Sequence, residues 1–177
     1  MKMVSRGCCL SLSPPTSLNE KMKKIMFVCH GNICRSPMAE FVMKSLAGKR
    51  QAGEELHIES SATSREEIGN AIYPPAARIL AMHGIVSDGH SARQFTVADY
   101  NEFDYVVVME EYNRRNLMRL IGCDCAGKVW KLLDFTHDEP APGIGADISD
   151  PWYHGDFGKT YNEILAGCKG LMRHLGY

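Results

Sequence analysis

The sequence lacks the charge excess and the long apolar runs that mark several large classes of protein. Its 20 Lys and Arg residues are balanced by 21 Asp and Glu residues, which gives a formal net charge of −1. A nucleic-acid-binding surface needs a basic excess to meet the phosphate backbone, so this balance argues against a nucleic-acid partner. No apolar run approaches the length of a membrane-spanning helix, and we therefore expect no membrane partner.

The spacings typical of metal sites are also absent from the sequence. Neither Cys8-Cys9 nor Cys123-Asp124-Cys125 has zinc-site or redox Cys-x-x-Cys spacing, and the seven His residues form no ligand pattern. We therefore predict no metal site and no cofactor. Seven cysteines are an odd number, and several free thiols indicate a reducing compartment, so we expect a cytoplasmic protein.

Residues 1–22 differ in composition from the rest of the chain. They contain a Ser- and Pro-rich stretch and show no periodic apolar face. The apolar run at 8–12 is too short for a signal peptide. Two interpretations stay open, a segment upstream of the true start or a disordered arm. We predict a disordered N-terminal extension at 1–22 and one domain at 23–177.

Residues 28–37, Val-Cys-His-Gly-Asn-Ile-Cys-Arg-Ser-Pro, place a cysteine and an arginine on one short turn. The apolar segment before them predicts a strand, and Ser36 followed by Pro37 predicts a helix start with Ser36 as the cap. Backbone N–H groups of such a turn bind an anion and favour the thiolate form of Cys29. Arg35 can hold two phosphate oxygens. The pattern predicts a nucleophilic thiolate in a phosphate-binding turn and a phosphoryl-cysteine intermediate.

Apolar runs alternate with helical patterns along the rest of the chain. We predict strands at 24–29, 56–62, 104–109 and 128–135, and helices at 36–50, 74–83, 96–102, 111–121 and 157–174, with a long loop before the last helix. Strands that alternate with helices are joined by crossovers, which predicts the α/β class: a single-domain open parallel four-stranded sheet with helices on both faces. The turn at Cys29 would then lie at the carboxyl edge of the sheet, where such folds bind ligands.

An aspartate on the long loop is a candidate proton donor. Release of an alcohol from phosphorus requires a proton for the leaving oxygen, and Asp150 precedes Pro151, Trp152 and Tyr153 on that loop. The two aromatic side chains offer flat walls for an aromatic ring. The alternative is an ordinary Asp-Pro turn with two exposed aromatics.

Residues 29–37 and the block at 150–153 resemble the low-molecular-weight protein tyrosine phosphatases. The resemblance runs from about residue 24 to residue 175 and includes 60–64, 68–70, 83–85, 91–95 and 109–113. It implies a flavodoxin-like, phosphotyrosine phosphatase I-like fold and a protein-tyrosine phosphatase. Cys29 would be the nucleophile, Arg35 the phosphate ligand and Asp150 the general acid. The implied partners are a phosphotyrosine-containing protein or a small aryl phosphate, with inorganic phosphate or another oxyanion in the loop.

The same resemblance gives roles to further residues. The loop residues implied to bind or support the phosphate are His30, Gly31, Asn32, Ile33, Cys34 and Ser36. Ser36 would donate to the cysteine sulfur, Ser60 and His90 would support Asn32, and Trp152 and Tyr153 would form the substrate wall. In relatives the cysteine matching Cys34 can form a reversible disulfide with the nucleophile, and the alternative is an inert packed thiol.

The sequence also departs from the family pattern at three places, one of which is an extra residue between His83 and His90 that affects the match of His90. Glu110 follows Met109 where the family usually has Asp, and Arg65, Glu66 and Glu67 stand where some relatives carry an aromatic wall residue. A longer carboxylate at position 110 could alter how that loop is held.

Two other activities share this resemblance and remain alternatives. Phosphoarginine phosphatases carry Thr after the loop Asn, whereas Ile33 is apolar and suits an aromatic ring. Arsenate reductases need two additional cysteines, typically before the third strand, and residues 54–105 contain none. Both observations favour protein-tyrosine phosphatase.

Overall fold

The computed structural model of the protein describes residues 22–177. The N-terminal extension predicted at 1–22, with Cys8 and Cys9, falls outside the described residues except for its last position. The elements in chain order are β1 (Lys23–Cys29), α1 (Arg35–Lys49), β2 (Leu56–Ala62), α2 (Pro74–Met82), α3 (Val97–Glu102), β3 (Tyr105–Val108), α4 (Glu111–Ile121), β4 (Val129–Lys131), a 3₁₀ helix (Leu132–Thr136), α5 (Pro151–His154) and α6 (Phe157–Leu175).

The four strands form one parallel sheet in the order β2-β1-β3-β4. Strand β1 is central and pairs with β2 up to its last residue, where Cys29 lies opposite Ala62. On its other side β1 pairs with β3, and Val28 lies opposite Val108. The carboxyl ends of three strands therefore meet around Cys29, as predicted for an open α/β sheet.

Side chains of β1 alternate between two cores because successive residues of a strand point to opposite faces. Ile25 and Phe27 are fully buried on the face covered by α1 and α6. Met26 and Val28 are fully buried on the other face, among residues of α3 and α4. The prediction of a parallel sheet with helices on both faces is confirmed.

The predicted fourth strand at 128–135 is wrong in its second half. Strand β4 ends at Lys131, and the chain continues as a 3₁₀ helix over Leu132–Thr136. The buried Asp134 explains the change, because its carboxylate accepts from the backbone N–H of Lys131 (2.7 Å), Gly143 (2.8 Å) and Gly145 (2.7 Å). These bonds fold the chain back on itself, and the hydrophobic pattern alone gives no sign of them.

The start of α1 also differs from the prediction. Ser36 is not its cap: the helix begins at Arg35, and the capping position is Cys34, which makes no side-chain capping bond. The predicted Thr cap of α3 is confirmed, since Thr96 and Asp99 form a reciprocal capping box. The segment predicted as a long loop contains the short helix α5, which Asp150 caps by accepting from Trp152 N.

The five cysteines between residues 22 and 177 divide into three free thiols and one disulfide. Cys29, Cys34 and Cys168 are free and buried, whereas Cys123 and Cys125 are bonded to each other, a pairing that the sequence analysis did not predict. This pair lies at the sheet edge opposite Cys29, because α4 runs from the carboxyl end of β3 back to the amino end of β4. None of the helices between residues 22 and 177 combines the length and apolar character needed to cross a membrane.

Candidate active site

The turn between β1 and α1, residues 29–35, is held by hydrogen bonds that draw its carbonyl oxygens outward; we call it the Cys29 loop. Four of its carbonyls accept from groups outside the loop: Cys29 O from Thr63 N (2.8 Å), His30 O from Ser64 N (3.0 Å), Asn32 O from His90 Nε2 (2.7 Å) and Ile33 O from Tyr73 N (2.8 Å). In a trans peptide the N–H points away from the preceding carbonyl. The N–H groups that follow these carbonyls therefore point inward, which is the arrangement of an anion-binding site.

Asn32 fixes the shape of the Cys29 loop. Its backbone is in the left-handed region with φ of 59°, which asparagine tolerates better than most residues, and its side chain is fully buried. Its Nδ2 donates to Ser36 Oγ (2.9 Å) and to Ser60 Oγ (2.8 Å), and its Oδ1 accepts from Arg93 N (3.1 Å). Both amide hydrogens and the amide oxygen are thus anchored, each to a different segment of the chain.

Ser60 and His90 both contact Asn32 in the structure. Ser60 Oγ contacts the Asn32 amide and donates to Glu40 Oε2 at 2.5 Å, and His90 donates to the Asn32 carbonyl. The carboxylate of Glu40 in turn accepts from Lys44. The support of the loop therefore reaches from its centre to the exposed face of α1.

The Cys29 sulfur lies inside the loop with two polar neighbours. Ser36 Oγ is 3.0 Å from Cys29 Sγ, and Asn32 N donates to the sulfur at 3.3 Å. The Asn32 N–H is directed at the sulfur, whereas the single Ser36 hydroxyl proton is shared between the sulfur and the Ser61 carbonyl oxygen, which Ser36 Oγ contacts at 3.2 Å. Ser36 thus contacts the sulfur from the first turn of α1 instead of capping that helix.

Arg35 is the cation of the site and is only 2% exposed. Its Nη2 donates to Asp150 Oδ2 at 2.6 Å and lies 2.8 Å from Glu110 Oε1. Burial acts against the charge, but Cys29, Glu110 and Asp150 outweigh it and raise the pKa of the Arg35 guanidinium above its ordinary value. The guanidinium therefore stays charged throughout the working pH range of a protein.

Cys34, in the same loop, lies in an environment that disfavours the thiolate form that a nucleophile needs. Burial, followed by the negative charges of Cys29 and Asp150, raises the pKa of its thiol to about 12. Cys168, in the core between α1 and α6, also has a raised pKa because it is buried. Both residues are thiols at neutral pH.

We expect iodoacetamide at pH 7.5 to alkylate Cys29 while leaving Cys34 and Cys168 unmodified. The thiolate is the reacting form, and a pKa of about 12 leaves Cys34 with on the order of 10³-fold less thiolate than an ordinary cysteine. Peptide mapping by mass spectrometry locates the label, and inorganic phosphate should protect Cys29. Equal labelling of Cys29 and Cys34 would show that the loop does not distinguish the two thiols.

A cavity of about 680 Å³ opens above the Cys29 loop. It is lined by Cys29, His30, Gly31, Ile33, Cys34, Arg35, Glu66, Glu67, Glu110, Tyr112, Asp150, Trp152 and Tyr153. Trp152 and Tyr153 are both exposed, and the Trp152 ring centre is 5.4 Å from that of Tyr73. The structure therefore brings Cys29, Arg35 and Asp150 together in one cavity with aromatic walls.

Four lining residues had no assigned site role in the sequence-based prediction. Tyr112 lies in the first turn of α4 with its ring centre 6.3 Å from that of His30, and Glu110 pairs with Arg35. Glu66 and Glu67 come from the connection after β2. The sequence held one signal for a site role of these four residues: they follow β2 and β3, the two strands that flank β1. The carboxyl ends of parallel strands share one edge, which brings these residues near Cys29.

Comparison with known proteins agrees with this geometry. The model of the family described as low molecular weight phosphotyrosine protein phosphatase matches residues 24–177. The chain belongs to this family. The resemblance inferred from the Cys29 loop and the Asp-Pro block is thereby confirmed.

Individual members of the low molecular weight phosphatase family match nearly full length. The protein-tyrosine-phosphatase YfkJ of Bacillus subtilis is 35% identical over 151 residues, 85% of this chain and 94% of that protein. The crystal structure of YfkJ has a TM-score of 0.81, covering 88% and 95% of the two chains. The phosphotyrosine protein phosphatase of Gallus gallus is 37% identical over 159 residues, covering 86% and 95%. The structure of SP-PTP from Streptococcus pyogenes is 37% identical with a TM-score of 0.76, covering 88% and 95%.

Proposed function

We propose that this member of the low molecular weight phosphatase family hydrolyses phosphotyrosine in proteins through a phospho-cysteine intermediate. The observation that carries the proposal is the Cys29 sulfur, which lies among inward-facing backbone N–H groups with Arg35 beside it. A nucleophile within an oxyanion site can attack a bound phosphoryl group without a further cofactor.

In the first step, the Cys29 thiolate attacks phosphorus in line with the tyrosine oxygen. The S–P bond forms as the P–O bond to tyrosine breaks, and Asp150 transfers its proton to the leaving oxygen. Arg35 and the loop N–H groups hold the three equatorial oxygens of the transition state. A bound phosphoryl group competes with Asp150 for Arg35 Nη2, which frees Asp150 Oδ2 to face the leaving oxygen.

In the second step, the Asp150 carboxylate takes a proton from water as the water oxygen attacks phosphorus. The S–P bond breaks, inorganic phosphate forms, and the thiolate of Cys29 is restored. Trp152, Tyr153 and Tyr112 provide apolar walls for the tyrosine ring while it is in the cavity.

The chain's own cysteines and loop residues disfavour the two alternatives. An arsenate reductase needs two further thiols that can reach the nucleophile, but Cys168 is buried in the core and Cys123–Cys125 lies at the opposite sheet edge. Ile33 lines the cavity with an apolar side chain, which favours an aromatic substrate over phosphoarginine. The need for a reduced Cys29 thiol supports a cytoplasmic location.

A substrate panel tests the proposed function. Purified protein is assayed with peptides that contain phosphotyrosine, phosphoserine or phosphoarginine, and with arsenate plus a thiol donor. We expect phosphate release from phosphotyrosine to dominate. A higher kcat/KM for phosphoarginine, or thiol-dependent reduction of arsenate, would replace the proposal by the corresponding alternative.

We expect Asp150→Asn to slow the release of poor leaving groups by about 10²-fold or more and that of nitrophenol by less than tenfold. A phenol with a pKa near 10 needs a proton as its bond to phosphorus breaks, whereas the nitrophenolate anion is already stable. The measurement is kcat/KM for a series of aryl phosphates plotted against leaving-group pKa. The plot should be steep for the variant and flatter for the parent chain.

Asp156→Asn is the matched control for this experiment. Asp156 lies near the same loop but caps α6 by accepting from Lys159 N, and asparagine can also cap a helix. Its leaving-group plot should follow that of the parent chain. If Asp150→Asn also runs parallel to the parent chain, Asp150 is not the general acid, and Asp147 on the same loop is the next candidate.

A further inference from the structure

Two carboxylates at the mouth of the cavity have no permanent cation beside them in the structure. The Glu66 side chain is 71% exposed, and its carboxylate lies 3.1 Å from His30 Nε2. The His30 ring carries a charge only when it is protonated. Glu67 accepts from the neutral amide of Asn70 at 2.6 Å. We call Glu66 and Glu67 the acidic rim. The other two lining carboxylates, Glu110 and Asp150, differ because both pair with Arg35.

Glu67 extends directly over the Cys29 loop. Its Cγ lies 3.2 Å from the position that a Cβ on Gly31 would occupy, so any side chain at Gly31 would press against it. The acidic rim also lines the same cavity as Cys29 and the aromatic wall residues. A substrate whose phosphoryl group reaches Cys29 must therefore bring its neighbouring groups close to these two carboxylates.

The acidic rim conflicts with the charge of the bound group. A phosphoryl dianion is attracted by Arg35, the one Lys or Arg among the residues lining the cavity, and is repelled by Glu66 and Glu67. Arg65 precedes the rim and is exposed, but it does not line the cavity. A substrate that itself supplies positive charge near the mouth offsets this repulsion.

We propose that the acidic rim selects phosphotyrosine flanked by Lys or Arg residues, an inference that rests on the proposed function. Successive residues of an extended peptide are at most about 3.6 Å apart, so residues next to the phosphotyrosine pass the mouth of the cavity. Long cationic side chains at those positions reach Glu66 and Glu67, and acidic side chains there add a third source of repulsion.

Three phosphotyrosine peptides that differ only in their flanking residues test this proposal. The residues on both sides of the phosphotyrosine are Lys, Ala or Glu, and kcat and KM are measured at low salt. An exposed ion pair changes an equilibrium constant by up to about fivefold. We therefore expect kcat/KM to fall by about tenfold from the Lys to the Glu peptide, mostly through KM. The difference should shrink at 0.5 M NaCl, because salt screens exposed charges.

The double variant Glu66→Gln/Glu67→Gln keeps the shape of the rim and removes its charge. We expect it to process the three peptides with nearly equal kcat/KM and to show a lower KM for para-nitrophenyl phosphate, since two repelling charges are gone. Glu54→Gln is the matched control, because Glu54 is exposed and precedes the amino end of β2, at the sheet edge away from Cys29. This control should keep the full preference for the Lys peptide.

Binding to the Cys29→Ser variant gives a readout that does not depend on turnover. Its Kd for the Lys peptide should be lower than for the Glu peptide, and the difference should vanish when the rim is also neutralised. Equal kcat/KM and Kd for the three peptides, or a preference that survives Glu66→Gln/Glu67→Gln, would overturn the inference. Activity on para-nitrophenyl phosphate without peptide discrimination rejects only this inference, whereas no activity on any aryl phosphate rejects the proposed function together with it.

Discussion

Replacing Cys29 by serine is expected to lower kcat by about 10⁴-fold or more while the fold and the affinity for phosphate stay close to those of the parent chain. Removal of a catalytic nucleophile has effects of this size or larger in other covalent enzymes. A serine hydroxyl is not ionised at neutral pH, and no side chain near Cys29 is placed as a base to activate it: Ser36 and Asn32 N are its polar neighbours. The inward N–H groups that bind phosphate belong to the backbone and remain.

The measurements for this variant are single-turnover release of nitrophenol and calorimetric titration with inorganic phosphate. Cys168→Ala is the control, because this cysteine is buried between α1 and α6 and its loss leaves the Cys29 loop intact. The control should retain kcat at a temperature at which it is folded. Turnover within tenfold of the parent chain by Cys29→Ser would remove Cys29 from the nucleophile role.

Arg35→Lys is expected to lower kcat/KM by about 10³-fold although the charge is kept. The guanidinium presents several N–H groups in one plane and can hold two phosphoryl oxygens together, which an ammonium group on a single stem cannot do. Arginines that stabilise phosphoryl-transfer transition states contribute factors of 10³ to 10⁵. Arg35 is also buried beside Glu110 and Asp150. Because a lysine at this position reaches less far and has fewer N–H groups, it leaves these two carboxylates incompletely paired.

Kinetics on para-nitrophenyl phosphate with Arg114→Lys as the matched control measure this effect. Arg114 pairs with Glu111 on the exposed face of α4 and contacts no residue of the Cys29 loop in the described structure. Its replacement should change kcat/KM by less than twofold. A loss of only a few fold for Arg35→Lys would show that two-oxygen binding is not what Arg35 contributes.

The parts of the fold that depend on local pattern were predictable from the sequence. Uninterrupted apolar runs carry the strand assignments of β1 and β3, and the Thr96 cap marks the start of α3. The extent of β4 was not predictable. Its end depends on Asp134, whose backbone partners Gly143 and Gly145 lie far along the chain, and a single sequence gives no sign of that contact.

The residues of the candidate site also differ in how far the sequence alone could reveal them. Cys29, Arg35 and Asp150 could be proposed from the sequence because two compact motifs carry them, and the structure brings the three residues into one cavity. Ser36 was misassigned as a cap because Ser before Pro is an ordinary helix start. The family resemblance, and not the local pattern, implied that its hydroxyl contacts the Cys29 sulfur, and the two atoms lie 3.0 Å apart in the folded loop. Glu110 contacts Arg35 across the sheet edge with a side chain longer than the aspartate that is usual in the family. The residue type at position 110 does not by itself reveal which residue it contacts.

The hydrogen-bonded, outward carbonyls of the Cys29 loop determine how much conformational entropy the loop loses when it binds an anion. Ordering the backbone of one residue costs about 1–2 kcal/mol, so a seven-residue loop that organised only on contact with its ligand would lose on the order of 10 kcal/mol of affinity. Here the connection after β2, together with Tyr73 and His90, fixes the loop when the chain folds. We therefore expect phosphate alone, with no organic group to add binding energy, to bind the loop. A substitution at Thr63 or Tyr73 that shifts these backbone contacts weakens anion binding without touching the anion.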